Sequence, residues 1–555
     1  MTKKECNIIL FSITLCWSSS YLFIKSLPEE LSSYGYMAIT TGMAGIAMML
    51  MCIKQLHKIQ MAMIGKSLCL ALLLCGNLLT GKLGLMYMPS SMASFLSSLN
   101  IVMVPILLIL GKKFPKKNQL LGMGIILLGI LATNDFRMQS LNNMGTGWML
   151  LACLLASVYT IMADKFTKEE NPLLMSALQM IMCGAISFIL WYLEDPGAVF
   201  RLSYQPQTIS SLLVLTLFSK VYAYIMLMYA QKYANPMDVT VIASTEPVVT
   251  LILAVLLPEA YGAGEAVRFG AFGGSMLIAL GAVVAGITFN GLFSNQKKTE
   301  SNTELRYIST FIPIKQWIKK ELTRRRIKQG IGIFFAFSFL GAAFKVMVLV
   351  EGFTEVRPVN AIPVAAGLIA GPLGGICCGL GNLVADFAGD WGATSILGVA
   401  ANFIGAFLPY RLWYQCTKEE PKLDTFRNLG IYCLISFMSA LAVAFIIGTG
   451  LDIIFHIQNP FIYQSVFVNN FAFSILLGMP LFILMTSKEF KVTCVKPINY
   501  YFLHGKKEKN AVMGIFTVAM VLVLFYMGDG RSISNSLLMM LLTEGAVTSM
   551  IVLLI

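Results

Sequence analysis

The stretch IASTEPVVT, residues 242–250, places a glutamate and a proline side by side in the middle of an apolar run. The run extends from about Met237 to Leu257, which is long enough to cross the hydrocarbon core of a bilayer. A charged side chain at that depth is costly, so it is retained where it faces a protein interior and finds a partner or water. Glu246 therefore constrains how the surrounding helices are arranged, and it is the first candidate for a functional site.

The composition of the chain indicates an integral membrane protein with many spans. It has 555 residues, of which 57% are hydrophobic and 12% are charged. A soluble protein of this size needs far more polar surface. The net charge of +13 is typical of basic cytoplasmic loops beside a lipid bilayer, so we expect no nucleic-acid partner. The 12 cysteines lack metal-binding spacings, so we expect no metal and no other cofactor.

The first half of the chain contains ten apolar stretches of roughly 17–25 residues separated by polar loops. They cover about 7–26, 32–53, 64–83, 90–111, 118–134, 146–165, 172–193, 208–231, 237–258 and 266–290. Lysines concentrate in alternate loops, whereas acidic residues dominate the others. The positive-inside rule then predicts a multi-pass protein of the bacterial cytoplasmic membrane, with a cytoplasmic N-terminus.

A basic segment, residues 293–328, divides the chain and is predicted to be a cytoplasmic linker. Residues 329–555 form a second membrane domain of six or seven spans, beginning with an apolar stretch at about 330–350. One long stretch, residues 359–388, contains Pro363, Pro372 and several glycines. Helices break at such positions. We therefore expect this stretch to enter the membrane and return as a broken hairpin.

An internal repeat relates the two parts of the first domain, about 1–138 and 139–292. The segment YMPSSMASFLSSLNIVMV, residues 87–104, aligns with YANPMDVTVIASTEPVVT, residues 233–250, so that Asn100 stands opposite Glu246. Each part has five spans, and an odd number makes the two parts face opposite ways across the membrane. Inverted repeats of this kind place a substrate site near the midplane between them.

Residues 1–292 resemble the EamA-type ten-span permeases of the drug/metabolite transporter superfamily. The stretches that carry the resemblance are LCWSSSYLFIKSL (15–27), GLMYMPSSMASFLSSLNIVMVPILLIL (84–110) and YAQKYANPMDVTVIASTEPVVTLILAVLL (229–257). The resemblance implies a five-plus-five inverted fold, cytoplasmic termini and secondary transport of a small organic metabolite.

Residues 329–555 resemble the substrate-binding S component of energy-coupling factor (ECF) vitamin transporters. The resemblance rests on RPVNAIPVAAGLIAGPLGGICCGLGNLVADFAGD, residues 357–390. It implies capture of a vitamin-like solute and an ECF-type coupling protein with its ATPases as partners. Two side chains one helical turn apart, Asn382 and Asp386, are the candidates for a second binding site.

The eighth predicted span contains a second buried charge, Lys220. The midpoints of the eighth and ninth spans place Lys220 and Glu246 at similar depth in adjacent antiparallel helices. The simplest expectation is an ion pair at the midplane, which a charged solute or a proton opens. The alternative is a purely structural pair. Polar and aromatic residues expected to line the same cavity, or else to pack between helices, are Trp17, Ser19, Tyr21, Asn100, Tyr222 and Tyr224.

Motifs of hydrolytic or phosphoryl-transfer enzymes do not occur in the sequence, so we expect a permease rather than an enzyme. Two alternatives stay open. The protein could move lipids or lipid-linked sugars across the bilayer, or it could be a membrane sensor whose second domain binds a metabolite. A transporter shows saturable flux, whereas a sensor shows binding without flux.

Overall fold

The computed structural model describes two compact units, Met1–Ser294 and Asn295–Ile555. The described residues are 3–28, 30–111, 117–133, 144–197, 205–256, 274, 276–278, 280–281, 323–345, 348–350, 354–389, 391–417, 419–457, 460–487, 489–490, 492–495 and 506–554. Most of the predicted tenth span, most of the predicted linker and the boundary between the two repeats lie outside them.

The first unit is a bundle of helices joined by short turns. Its α-helices are α1 (Lys3–Lys25), α2 (Ser33–Met51), α3 (Met61–Leu85), α4 (Ser90–Ser97), α5 (Asn100–Leu110), α6 (Lys117–Thr133), α7 (Met144–Glu169), α8 (Pro172–Glu194), α9 (Pro206–Val214), α10 (Ala223–Gln231), α11 (Pro236–Ala243) and α12 (Glu246–Leu256). A 3₁₀ turn, Ile53–Lys58, follows α2, and a π-helical segment, Leu215–Tyr222, joins α9 to α10.

Small residues let α2 and α8 pack at very short range. A Cβ atom added at Gly184 would lie 2.5 Å from the Cα of Gly42, and one added at Gly45 would lie 2.5 Å from the backbone nitrogen of Ile181. Membrane helices associate through such contacts because lipid supplies no hydrophobic driving force between them. The N-terminus of α8 is capped by Asn171, whose side-chain oxygen accepts from two backbone N–H groups.

The fourth and ninth predicted spans are both broken, and they are broken at equivalent points. Residues 98–99 separate α4 from α5, and residues 244–245 separate α11 from α12. In both cases an eight-residue helix precedes the break and an eleven-residue helix follows it. The second helix begins at Asn100 in one repeat and at Glu246 in the other. The sequence alignment that set these two residues opposite each other therefore agrees with the structure.

The second unit is also helical. It contains α13 (Arg324–Ala343), α14 (Ile362–Ala370), α15 (Pro372–Asp386), α16 (Ser395–Cys416), α17 (Phe426–Ile453), α18 (Pro460–Phe473), α19 (Met479–Thr486), α20 (Lys506–Gly528) and α21 (Leu537–Leu554). A π-helical segment, Ser474–Gly478, joins α18 to α19, and short 3₁₀ turns lie at Pro358–Ala361 and Ile533–Asn535.

The first helix of the second unit ends earlier than the apolar pattern predicted. Helix α13 stops at Ala343, and the chain then forms a two-stranded antiparallel hairpin of β1 (Val348–Val350) and β2 (Thr354–Glu355). The sequence VLV of β1 is apolar, but its β-branched valines favour an extended backbone. The apolar pattern alone therefore predicted a helix that was too long. These are the strands found among the described residues.

The broken hairpin predicted within residues 359–388 is confirmed. Helix α14 ends at Ala370 and α15 begins at Pro372, with Gly371 between them at φ 58° and ψ −132°. Glycine is the residue that adopts this backbone conformation without strain. The chain then folds back on itself. The close approach of the two helices is evident at Gly374, where an added Cβ atom would lie 2.3 Å from the carbonyl oxygen of Ala366.

The expected fold class, an all-α polytopic membrane protein, is confirmed. Twelve helices in the described part of the chain are long and apolar enough to cross a membrane. Two shorter apolar helices, Leu120–Gly129 and Pro358–Ala370, add to them.

Candidate functional site

Glu246 lies at the first position of α12, immediately after the break, and is only 5% exposed. The hydroxyl of Tyr21 donates to its Oε2 atom at 3.3 Å. The hydroxyl of Ser18 donates to its backbone carbonyl at 3.2 Å. Both partners belong to α1. The first helix of one repeat thus holds the broken helix of the other.

Asn100 has the corresponding surroundings in the other repeat. Its Oδ1 atom accepts a hydrogen bond from the hydroxyl of Ser157 at 2.8 Å and from the thiol of Cys153 at 3.0 Å. Both partners belong to α7, which is the first helix of the second repeat. Each break is therefore followed by a polar residue that the first helix of the opposite repeat contacts.

The two broken helices also contact each other directly. The hydroxyl of Thr250 in α12 donates to the hydroxyl of Ser94 in α4 at 3.1 Å. Inverted-repeat transporters place interrupted helices at the repeat interface because a break frees backbone groups and polar side chains at mid-membrane depth. The geometry of the first unit has this form.

Lys220 is 3% exposed and lies in the π-helical segment. Its Nζ atom is 5.8 Å from the ring centre of Tyr224 and 6.0 Å from that of Tyr36. The predicted ion pair between Lys220 and Glu246 is wrong, since no Lys–Glu contact within 4.0 Å joins them in the described structure. Equal depth in two helices does not fix how each is rotated about its axis, and the π-helical segment and the break both change that rotation.

An aromatic cluster surrounds this lysine. Tyr224 packs against Trp17 with ring centres 5.9 Å apart, and against Tyr159 in an edge-to-face contact at 6.1 Å. The hydroxyl of Tyr159 donates to Oε1 of Gln179 at 3.0 Å. Trp17 and Tyr224 were candidates from the sequence. Tyr36, Tyr159 and Gln179 were missed, and no periodicity in the sequence distinguishes them from ordinary packing residues.

Two other sequence candidates make different contacts. The hydroxyl of Ser19 donates to the carbonyl oxygen of Cys16 in its own helix at 2.9 Å. The hydroxyl of Tyr222 lies 2.8 Å from that of Ser12 and ties the π-helical segment to α1. The bond of Ser19 is thus internal to α1, and only that of Tyr222 holds two elements together.

The second unit brings Asn382 and Asp386 together as predicted. The side-chain nitrogen of Asn382 donates to Oδ2 of Asp386 at 2.9 Å, and Lys345 forms a buried ion pair with Oδ1 of Asp386 at 3.3 Å. The guanidinium of Arg357 donates to Oδ1 of Asn382 at 3.1 Å. Arg357, which stands just before the 3₁₀ turn at Pro358–Ala361, is thus also part of this cluster.

Hydrogen-bond donors, one carboxylate and aromatic rings make up the candidate site of the first unit, and groups of this kind are typical of small-molecule sites. Within the residues that the structure describes, no group of three or more His, Cys, Asp or Glu side chains could hold a metal ion.

Comparison with known proteins assigns the first unit. Residues 5–134 and 143–289 each match the EamA-like transporter family. No curated protein matches the chain. Among the solved structures that match is one described as "Crystal structure of protein", at 17% identity and a TM-score of 0.41, covering 51% of this chain and 98% of that one. The two matched segments coincide with the two repeats, and Met1–Ser294 is accordingly an EamA-like transporter-family unit, from a family of small-molecule permeases of the membrane.

Proposed function

We propose that the first unit is a secondary transporter of a small organic metabolite, which binds where the two broken helices meet α1 and α7. The observation that carries the proposal is the equivalence of Asn100 and Glu246. Each begins the second half of a broken helix, and each contacts the first helix of the opposite repeat. A site shared by two inverted repeats can open to either side when one repeat rocks against the other.

The orientation proposed for the chain places the N-terminus in the cytoplasm of a bacterial cell. The alternation of basic and acidic loops supports it. Reporter fusions at Lys58 and at Glu194, which follow the second and the seventh predicted span, should fold on opposite sides of the cytoplasmic membrane. The same signal from both sites would contradict this orientation.

Flux across proteoliposomes tests the transport proposal. The full chain is reconstituted, and counterflow of amino acids, nucleobases, vitamins and organic acids is measured. We expect Glu246→Gln to lower the flux of the transported solute about tenfold or more, as for the loss of roughly 1.4 kcal/mol of binding. The matched control is Glu30→Gln, because Glu30 is an exposed glutamate of the same unit.

The outcomes separate the transporter from its alternatives. Equal flux in Glu246→Gln and in Glu30→Gln would remove Glu246 from the site. Movement of labelled lipid without solute flux would favour a flippase. Binding of a metabolite without any flux would favour a sensor.

For the second unit we infer capture of a small solute at the cluster of Asn382 and Asp386, in the manner of an S component. The largely buried ammonium group of Lys345 and the partly buried guanidinium of Arg357 beside these side chains support a polar site. An S component would act with a coupling protein and ATPases. Co-purification of such subunits with the tagged chain tests this, and their absence at full solute uptake would contradict it.

A further inference from the structure

Two buried lysines lie beside one tyrosine ring in the first unit. The Nζ atom of Lys82, at the end of α3, is 5.5 Å from the ring centre of Tyr36, and that of Lys220 is 6.0 Å from it. Lys82 is 8% exposed and Lys220 is 3% exposed. Lys82 was not a candidate from the sequence, because it stands near the end of its apolar stretch, where lysines extend toward the interface.

Among the described residues no carboxylate forms an ion pair with either lysine, and Glu194 interacts with Lys82 only at longer range. No acidic oxygen lies within 4.0 Å of either Nζ atom in the described parts of the chain. Lys82 donates to the backbone carbonyl of Leu31 at 2.6 Å. Among the described residues, Lys220 contacts the rings of Tyr36 and Tyr224. Contact with rings stabilises an ammonium group only in part, so the two charges together leave this region strongly positive.

The polar atoms around these lysines include several hydrogen-bond donors without acceptors. The hydroxyl of Tyr36, the hydroxyl of Thr216 and the Nε2 atom of Gln179 are buried and have no hydrogen-bond partner among the described residues. Thr216 belongs to the same π-helical segment as Lys220, and Gln179 is bonded to Tyr159 of the aromatic cluster. Buried polar groups are normally satisfied, so unsatisfied donors in this region suit a ligand that supplies acceptor atoms. A π-helical segment inside a helix is also frequent at functional sites.

We propose that Lys220 and Lys82 bind the anionic group, a carboxylate or a phosphate, of the solute that the first unit transports. The proposal rests on the transport function proposed above and narrows its substrate to organic anions. Lys220, at the middle of its span, contacts the bound anion. Lys82, nearer the end of the bundle where α2 begins, attracts the anion toward Tyr36. The rings of Trp17 and Tyr224 contact the organic part.

The test measures thermal unfolding of the full chain in lipid nanodiscs with matched probes. The anions are benzoate, succinate, inorganic phosphate and glycerol 3-phosphate. The uncharged or cationic partners are benzamide, succinamide, glycerol and benzylamine. The variants are Lys220→Met and Lys82→Met, with Lys168→Met as the control, because Lys168 is an exposed lysine of α7 paired with Asp164.

We expect at least one anion to raise the unfolding temperature of the unmodified protein and of Lys168→Met, while its matched partner does not. In Lys220→Met the affinity for that anion should fall about tenfold or more, as for removal of a buried charged partner. In Lys82→Met the affinity should fall less. Without ligand, Lys220→Met should be as stable as the unmodified protein or more so, because methionine removes an unpaired buried charge.

Two results would overturn the inference. One is stabilisation by no anion, or by the uncharged and cationic partners equally. The other is an unchanged anion affinity in both Lys220→Met and Lys82→Met. Flux measured in the same preparation separates this inference from the transport proposal. Flux of neutral or cationic solutes without anion binding contradicts only the anion site, whereas anion binding without flux of any solute contradicts only transport. Stabilisation by benzoate or succinate would indicate a carboxylate as the bound group, whereas stabilisation by inorganic phosphate or glycerol 3-phosphate would indicate a phosphate.

Discussion

Single side chains carry most of the functional argument in this protein. Glu246 was found from the sequence because a carboxylate inside an apolar run is rare, and its burial and its contact with Tyr21 agree with that expectation. Lys220 was found for the same reason, but the sequence did not predict which side chains contact it. Tyr36 and Lys82 escaped notice since a tyrosine or a lysine near the end of a span is ordinary at the membrane interface.

The buried ion pair of the second unit gives a prediction about stability. Replacing Lys345 by methionine leaves Asp386 buried without its cation, so we expect a loss of about 3–5 kcal/mol in the free energy of unfolding. The double variant Lys345→Met with Asp386→Leu should be closer to the unmodified protein. Thermal and chemical unfolding of the full chain in detergent measures both.

Two outcomes decide the meaning of that ion pair. A double variant that is as unstable as the single one would show that Asp386 stabilises the unit through Asn382 rather than through Lys345. A single variant with unchanged stability would show that the pair is open to water.

At the scale of elements, the sequence predicted where helices run more accurately than how they are interrupted. The spans were evident because lipid requires long apolar stretches. The break before Glu246 was marked only by the proline that follows it, and the break before Asn100 by the repeat alone. The π-helical segment has no signature in the sequence, and it sets the direction of Lys220. This explains why the sequence did not predict which groups the two charges contact.

The hairpin of α14 and α15 gives a prediction about packing. A Cβ atom at Gly367 would lie 1.8 Å from the backbone carbonyl oxygen of Ala406 in α16. Because neither backbone can yield cheaply, Gly367→Ala should lower the free energy of unfolding by about 1–3 kcal/mol or more.

The matched control for this prediction is Gly430→Ala. Gly430 lies near the start of α17, and a Cβ atom there meets nothing within 4 Å. Alanine at that position should be neutral or should stabilise the helix by about 0.5–1 kcal/mol. Equal destabilisation by both substitutions would mean that α14 and α16 do not pack closely.

At the scale of the whole molecule, the chain joins two membrane units, and more independent observations support the function of the first than that of the second. The first has repeats, broken helices and a family assignment that agree with one another. The second has the predicted hairpin and a polar cluster, but its resemblance to an S component stays a prediction. Composition and charge sufficed for the membrane class. The substrate depends on side-chain directions at the repeat interface, which periodicity does not encode.

The location of a bound solute tests the central claim most directly. Electron cryo-microscopy of the full chain in nanodiscs, with a rigid antibody fragment and a solute that supports flux, would show where that solute lies. We predict density in the first unit beside Lys220, Tyr224 and Trp17, within reach of Glu246. Solute density confined to Asn382 and Asp386 of the second unit, with the first-unit site empty during saturating flux, would contradict the account.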